Sequence, residues 1–174
     1  MRMKALLVAA ALVAGTLTIS TSAHAAPPHD GIVTLQNHRS GLCLAPNGPF
    51  ANAGIGQVPC WPLDPAQQWK REQHGDGSAW LVNQGTGFCL DLFANSPAEV
   101  VPGTLVQQFT CNLAWTSEDW YPTPSTSSGR FVLVTKVNAL CAETENRSTN
   151  VGARLRLNRC NLGERSQQFR FNPA

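Results

Sequence analysis

The chain repeats one spacing of cysteines and apolar residues three times. In each unit a leucine stands eight residues before a first cysteine, and a large aromatic residue stands nine residues after a second cysteine. The leucines are Leu35, Leu81 and Leu133, the cysteines are Cys43 and Cys60, Cys89 and Cys111, and Cys141 and Cys160, and the aromatics are Trp69, Trp120 and Phe169. Only the distance between the two cysteines of a unit varies. This pattern indicates three copies of one structural unit, over residues 31–71, 79–121 and 130–171.

The first 25 residues have the pattern of a secretory signal peptide. Arg2 and Lys4 precede an apolar run over residues 5–15, and Ala23-His24-Ala25 fits the rule of small residues around a cleavage site. The apolar run is too short to span a membrane, and no later segment could replace it. We therefore expect a secreted, extracellular protein, residues 26–174, with no membrane insertion.

The repeat also selects a pairing for the six cysteines. In an exported chain they are expected to be oxidised. One bridge within each unit gives Cys43–Cys60, Cys89–Cys111 and Cys141–Cys160. A zinc site is the competing use of cysteine, but the sequence contains no Cys-x-x-Cys spacing. The prediction is three disulfides and no metal.

Short apolar runs predict an all-β protein. Residues 32–35 and 131–134 are rich in Val and Leu, and residues 151–157 alternate apolar and polar side chains. After the signal peptide, no segment keeps a helical period, and glycine and proline interrupt the chain throughout.

A unit of roughly 45 residues made of short strands cannot bury its own apolar face, so three units should close around a pseudo-threefold axis. Closure also removes exposed sheet edges. The large aromatic residues Trp69, Trp120 and Phe169 are then equivalent members of the core. Stacking of these rings on a ligand is the alternative, and equal spacing favours the structural role.

Charge excludes some partners. Without the signal peptide, 11 basic and 11 acidic residues remain, so the protein is formally neutral. This argues against general nucleic-acid binding and against adhesion to an anionic membrane. The charge is uneven, because residues 130–174 contain eight basic and three acidic residues.

The motifs that close the three units resemble those of a known family. They are Gln67-Gln68-Trp69, Glu118-Asp119-Trp120 and Gln167-Gln168-Phe169. With the paired cysteines and the Cys-Leu-Asp segment that begins at Cys89, they are similar to the Gln-x-Trp repeats of the ricin B-chain type lectins. Only the first motif is complete. The resemblance implies a β-trefoil with one disulfide in each repeat and up to one shallow sugar pocket per repeat.

The resemblance also implies which repeat can bind sugar. A family pocket needs an acid two residues after the first cysteine, a stacking aromatic two before the second cysteine, a glutamine two before that aromatic, and an asparagine three before the closing aromatic. The first repeat has Ala45, Val58, Gly56 and Ala66 at these places, and the third has Glu143, Asn158, Arg156 and Ser166. The second repeat has Asp91, Phe109 and Gln107 and departs only at Ser117. The candidate carbohydrate-binding residues are Asp91, Gln107, Phe109, Ser117 and Glu118.

Each candidate also has a structural interpretation. Asp91 could cap a turn, and Phe109 could be a buried strand residue. Trp61 and Trp115 follow the second cysteines at non-equivalent positions and form either an exposed contact surface or ordinary loop packing. Arg154, Arg156 and Arg159 form either a site for an acidic glycan or protein partner, or a solvated strand edge.

Nothing in the sequence points to catalysis. Three histidines follow the signal peptide, His29, His38 and His74, and none has metal-ligand spacing or lies near a nucleophile motif. The sequence predicts a non-catalytic protein without a cofactor that binds a galactose-like sugar or a polysaccharide. The alternative is a protein-interaction subunit that resembles the binding subunits of the cytolethal distending toxins.

Overall fold

The computed structural model describes residues 31–174, so the predicted signal peptide and its cleavage site lie outside the described residues. The described chain consists of twelve β-strands and three short 3₁₀ turns. The strands are β1 (Ile32–Asn37), β2 (Cys43–Pro46), β3 (Ile55–Val58), β4 (Gln68–Gln73), β5 (Ala79–Asn83), β6 (Cys89–Leu92), β7 (Val106–Phe109), β8 (Trp120–Pro124), β9 (Phe131–Thr135), β10 (Cys141–Thr144), β11 (Leu155–Asn158) and β12 (Gln168–Pro173). The all-β prediction is confirmed. No helix within residues 31–174 has the length and apolar character needed to cross a membrane.

Six of the strands close into a barrel. Strand β1 pairs with β4 and β12, β5 pairs with β4 and β8, and β9 pairs with β8 and β12, all antiparallel. Because the ring is closed, none of these six strands is left as an unpaired edge. Each repeat contributes its first and last strand to the barrel.

The other six strands form three hairpins that cover one end of the barrel. They are β2–β3, β6–β7 and β10–β11, one from each repeat. Single bridges join the hairpins to each other: Gly54 to Gln107, Gly56 to Arg154, and Leu105 to Arg156. The result is the predicted β-trefoil, and it places the second hairpin in contact with both of the others.

The three closing aromatic residues are core residues, as predicted. Trp69, Trp120 and Phe169 are fully buried. The Trp69 indole N–H donates to the carbonyl of Leu44 at 3.2 Å, and that of Trp120 donates to the carbonyl of Leu90 at 2.9 Å. Both carbonyls directly follow the first cysteine of their repeat, so the two indoles fill equivalent places.

The disulfide prediction is confirmed. All six cysteines lie within the described residues, and they pair as Cys43–Cys60, Cys89–Cys111 and Cys141–Cys160. Each bridge closes a loop within one repeat, with sequence separations of 17, 22 and 19 residues. Loops of this length correspond to about 3 kcal/mol of stabilisation per bridge in the chain-entropy estimate.

One strand is shorter than its alternating pattern predicts. Residues 151–157 alternate, but β11 begins only at Leu155. Val151 is 61% exposed, and Gly152 has a φ of +82° in a turn. A positive φ interrupts extended backbone, so the first half of the alternating segment belongs to a loop.

Candidate functional site

A pocket of about 510 Å³ lies over the β6–β7 hairpin of the second repeat. Its wall comes from this hairpin, from the loop between β7 and β8, from Asn52 of the first repeat and from Val137 of the third. Four of the five candidate residues line it: Asp91, Gln107, Phe109 and Ser117. The site therefore sits where the second hairpin meets its two neighbours.

Two buried acceptors lie side by side in this pocket. Antiparallel pairing sets Asp91 opposite Gln107, and Gln107 Nε2 donates to Asp91 Oδ2 at 2.9 Å and to the carbonyl of Leu92 at 3.2 Å. Asp91 is 4% exposed and Gln107 is 6% exposed. Asp91 Oδ1 and Gln107 Oε1 find no hydrogen-bond partner in the described part of the chain. Buried acceptors of this kind are costly unless a donor reaches them, so the pair is suited to a ligand that carries hydroxyl or amine donors.

The Asp91 carboxyl belongs to the strand, not to a turn. Burial raises its pKa above the ordinary value of 3.8, and the hydrogen bond from Gln107 and the nearby Ser117 hydroxyl offset part of this rise. The turn-capping interpretation of Asp91 is therefore wrong, because the residue lies within β6 and its side chain meets Gln107 across the hairpin.

Two aromatic rings form one side of the pocket. Phe109 is half-buried, and Trp115 is 44% exposed. Their centroids lie 5.8 Å apart with an angle of 32° between the ring planes. Phe109 is thus not a core residue, and Trp115 joins it in the pocket wall. Trp115 was predicted to form an exposed contact surface or to pack in a loop; its place two residues before Ser117 in the same loop was a usable signal for the site.

The loop between β6 and β7 supplies residues that the motif did not predict. Phe93, Asn95, Ser96 and Val100 all line the pocket. The sequence signal for this loop was the longer distance between the two cysteines of the second repeat, 22 residues against 17 and 19. Extra residues between strands of a hairpin must form a longer loop, but their direction cannot be read from spacing alone.

Glu118 lies behind the pocket and does not line it. Its side chain is fully buried, Oε2 accepts from the backbone N–H of Asn112 at 2.8 Å, and Oε1 has no partner among the described residues. Burial, together with the nearby charges of Asp91 and Asp119, raises the Glu118 pKa from 4.5 to about 7, although the hydrogen bond from Asn112 opposes the rise. The equivalent Gln67 and Gln167 also accept from the residue after the second cysteine, but their amides donate as well.

The equivalent places in the other repeats are filled by the chain itself. In the first repeat, Asn47 lies so close to Gly56 that a Cβ there would be 2.8 Å from Asn47 Oδ1. In the third repeat, the buried Glu143 carboxylate accepts hydrogen bonds from three side chains and pairs with a fourth, at 2.5–3.6 Å; these are Asn158, Ser166, Gln167 and Arg147. Both oxygens of Glu143 therefore have partners within the third repeat, whereas Asp91 Oδ1 has none among the described residues.

The other singled-out residues lie elsewhere. Arg154 makes two contacts of 3.2 Å to the Glu145 carboxylate, which favours the solvated-edge interpretation of this arginine. Trp61 is 70% exposed beside Leu63, away from the pocket over the second hairpin. His74 contacts Asp119 at 3.1 Å. Within residues 31–174, no group of three His, Cys, Asp or Glu side chains could hold a metal ion.

The family comparison extends over half of the chain. Residues 22–109 match the family model described as ricin-type beta-trefoil lectin domain-like. A search of curated proteins finds no match.

Solved structures share the fold at low sequence identity. A designed threefold symmetric protein, ThreeFoil, has a TM-score of 0.75 at 25% identity, over 83% of this chain and 100% of that chain. The ricin B-like lectin of Macrolepiota procera, solved in complex with lactose, has a TM-score of 0.70 at 14% identity, over 86% and 99%. The cytolethal distending toxin of Haemophilus ducreyi has a TM-score of 0.66 at 16% identity, over 91% and 89%.

Two further matches belong to larger proteins. The chain spans 18% of a mosquitocidal holotoxin and 30% of an exo-β-1,3-galactanase from Clostridium thermocellum. The family match over residues 22–109 and the closed barrel of three disulfide-bridged repeats agree with each other. The chain belongs to the ricin-type β-trefoil lectin domain-like family.

Proposed function

We propose that this is a secreted, non-catalytic carbohydrate-binding protein whose one sugar pocket lies in the second repeat and takes a galactose-like sugar. The observation that carries the proposal is the pair of buried acceptors, Asp91 Oδ1 and Gln107 Oε1, which have no partner among the described residues. They lie in a pocket whose side is formed by the rings of Phe109 and Trp115.

This combination suits the chemistry of a sugar. A pyranose presents adjacent hydroxyl donors along one edge and an apolar C–H face. Asp91 Oδ1 and Gln107 Oε1 can accept hydrogen bonds from two such hydroxyls, and the Phe109 ring supplies a surface for the apolar face. A galactose-like sugar is the expectation for the family, and the Macrolepiota procera lectin is solved with lactose.

Binding should be monovalent and weak. In the first repeat, Asn47 fills the place equivalent to the pocket, and in the third repeat the Glu143 carboxylate already accepts hydrogen bonds from its own chain. One set of charge-assisted hydrogen bonds contributes roughly 1.5–3 kcal/mol and stacking about 1 kcal/mol, and these must offset the cost of association. The dissociation constant for a monosaccharide is therefore expected to be on the order of millimolar.

The pocket does not favour hydrolysis of its ligand. Glycoside hydrolysis generally needs two carboxyl groups that flank the scissile bond. Asp91 is the one acidic residue in the described wall of the pocket, and Glu118 is fully buried behind it. Secretion is supported by the three disulfides, which form and persist in oxidising compartments.

A protein-interaction role is the second candidate. The observation in its favour is the exposed apolar surface of Trp61 and Leu63, which are 70% and 88% exposed. Exposed apolar clusters often mark contact surfaces between proteins. A protein that shows no binding on a glycan array, but is recovered with a second secreted protein unless Trp61 is replaced by alanine, would support this role instead.

The pocket assignment is tested by removing the charge and the ring separately. Asp91→Asn keeps the side-chain volume and removes the carboxylate charge, and Phe109→Ala removes the stacking face. By isothermal titration, Asp91→Asn should weaken galactoside binding at least about tenfold, a loss of about 1.5 kcal/mol, and Phe109→Ala about fivefold, a loss of about 1 kcal/mol. A glycan array with the parent protein identifies the sugar class independently.

The matched control is Glu143→Gln in the third repeat, at the place equivalent to Asp91. Its carboxylate is buried against donors of its own chain, so this variant should bind like the parent. Parent-like binding by Asp91→Asn, or loss of binding in Glu143→Gln alone, would show that the pocket has been assigned to the wrong repeat.

A further inference from the structure

The acceptor pair lies between two aromatic positions along the second hairpin. Phe109 stands opposite Cys89, Gln107 stands opposite Asp91, and the backbone N–H of Phe93 donates to the carbonyl of Leu105 at 2.9 Å. Residues 89 and 93 are four steps apart in extended chain, a distance of about 13 Å. The Asp91–Gln107 pair is therefore flanked by Phe109 on one side and Phe93 on the other, over a length greater than one pyranose ring.

Phe93 is particular to the second repeat. Four residues after the first cysteine, the other repeats have Asn47 and Glu145. Asn47 fills the space above Gly56, and Glu145 pairs with Arg154. Phe93 instead lines the pocket with 60% of its surface exposed. Phe93 therefore presents an exposed aromatic ring at the edge of the pocket.

The loop that follows Phe93 is held in place. Asn95 donates from its backbone N–H and its Nδ2 to Glu99 Oε2, at 2.9 and 3.3 Å. Val100 is 4% exposed, its carbonyl accepts from the side chain of Asn138 in the third repeat, and the N–H of Gly103 donates to the carbonyl of Leu157 at 2.8 Å. Asn138 and Leu157 of the third repeat thus hold the loop at Val100 and Gly103 before a ligand binds. The conformational entropy lost by the loop on binding is therefore small.

We propose that this pocket binds an oligosaccharide of at least two sugar units, with the terminal sugar on Asp91, Gln107 and Phe109 and the next sugar stacked on Phe93. The inference rests on the proposed function and extends it to the ligand class. The volume of about 510 Å³ falls within the range of roughly 300–1,000 Å³ of pockets that hold drug-sized ligands, which are larger than one hexose.

The test compares methyl β-galactoside with lactose on the full mature protein by isothermal titration. Lactose should bind about five- to tenfold more tightly than the monosaccharide, the contribution of one additional stacked ring. Phe93→Ala should reduce the ratio of the lactose affinity to the methyl β-galactoside affinity toward one. Phe109→Ala should weaken binding of both sugars. Val101→Ala is the matched control, since Val101 is an exposed apolar residue of the same loop that does not line the pocket, and its ratio should equal that of the parent.

The outcomes separate the two proposals. If both sugars bind with equal affinity, or if Phe93→Ala keeps the parent's ratio, the second sugar position is overturned while the proposed function stands. If neither sugar binds to the parent, the galactose-like pocket fails and the oligosaccharide site fails with it. A ratio that falls in Phe93→Ala and not in Val101→Ala supports the second position directly.

Discussion

Replacing Trp120 by alanine is expected to lower the free energy of unfolding by about 3–5 kcal/mol. The Trp120 side chain is fully buried, and its indole N–H donates to the carbonyl of Leu90 at 2.9 Å. Alanine leaves a cavity where the second repeat closes on the barrel and leaves the Leu90 carbonyl without this donor. In a domain of this size the thermal midpoint should fall by roughly 10 °C or more, measured by circular dichroism.

Two matched variants define the cause. Trp120→Phe keeps most of the volume and deletes the indole N–H, and Phe169 already fills the equivalent place in the third repeat. This variant should cost less than the alanine, about 1–2 kcal/mol. Trp61→Ala removes a tryptophan that is 70% exposed and should change stability by no more than about 0.5 kcal/mol. Equal losses in Trp120→Ala and Trp61→Ala would contradict a core role for Trp120.

The fold was predictable because the sequence repeats its structural constraints and not only its composition. Three cysteine pairs and three closing aromatics at fixed distances leave one arrangement in which equivalent residues take equivalent places. The spacing reflects a repeated core contact, because the buried indoles of Trp69 and Trp120 each donate a hydrogen bond to the carbonyl after a first cysteine. The start of β11 was not predictable, because alternation continues through the turn at Gly152.

The pocket was predictable only in part. Motif positions brought Asp91, Gln107 and Phe109 together because antiparallel pairing fixes which residues of a hairpin face each other. Phe93 and Trp115 come from loops, and Asn52 comes from another repeat, so their places depend on packing that no local pattern encodes.

The sequence also did not show which of the two equivalent acids, Asp91 or Glu143, keeps an oxygen without a partner. Glu143 and Asp91 hold equivalent positions, and sequence alone offers both as ligand acceptors. In the structure, four side chains of the third repeat reach Glu143, whereas Asp91 Oδ1 is left without a partner in the described chain. Which acid is free for a ligand is decided by its neighbours and not by its own position.

Position 118 has a glutamate where the other two repeats have a glutamine, and this difference lowers the free energy of unfolding by an amount that depends on pH. In the first and third repeats, the equivalent amide donates to the carbonyl before the second cysteine, from Gln67 to Pro59 at 3.1 Å and from Gln167 to Arg159 at 2.9 Å. Glu118 has no amide, and its Oε1 is a buried acceptor without a partner among the described residues. When ionised, it is also a buried charge near Asp91 and Asp119.

The sign of the effect follows from the pKa. Burial raises the Glu118 pKa from 4.5 to about 7, so between these values the folded protein binds a proton that the unfolded chain does not. The contribution of this group to stability is therefore greatest below pH 4.5, is lost as pH rises, and is fully lost above about pH 7. A shift of this size corresponds to a cost of up to about 3 kcal/mol above pH 7.

Glu118→Gln is expected to remove that cost and to restore the missing donor, toward the carbonyl of Thr110. The thermal midpoint of the variant should exceed that of the parent by roughly 3–8 °C at pH 8, and the difference should shrink at pH 5, where the parent's carboxyl is protonated. Gln67→Glu is the reciprocal variant in the first repeat, because it deletes the donor to Pro59 and introduces the same kind of buried carboxyl; its midpoint should fall relative to the parent as pH rises. Calorimetry of the three proteins between pH 5 and 8 measures both trends.

A difference between Glu118→Gln and the parent that stays constant over this range would mean that the Glu118 carboxyl does not titrate there, and the cost would then come from the missing hydrogen bond alone.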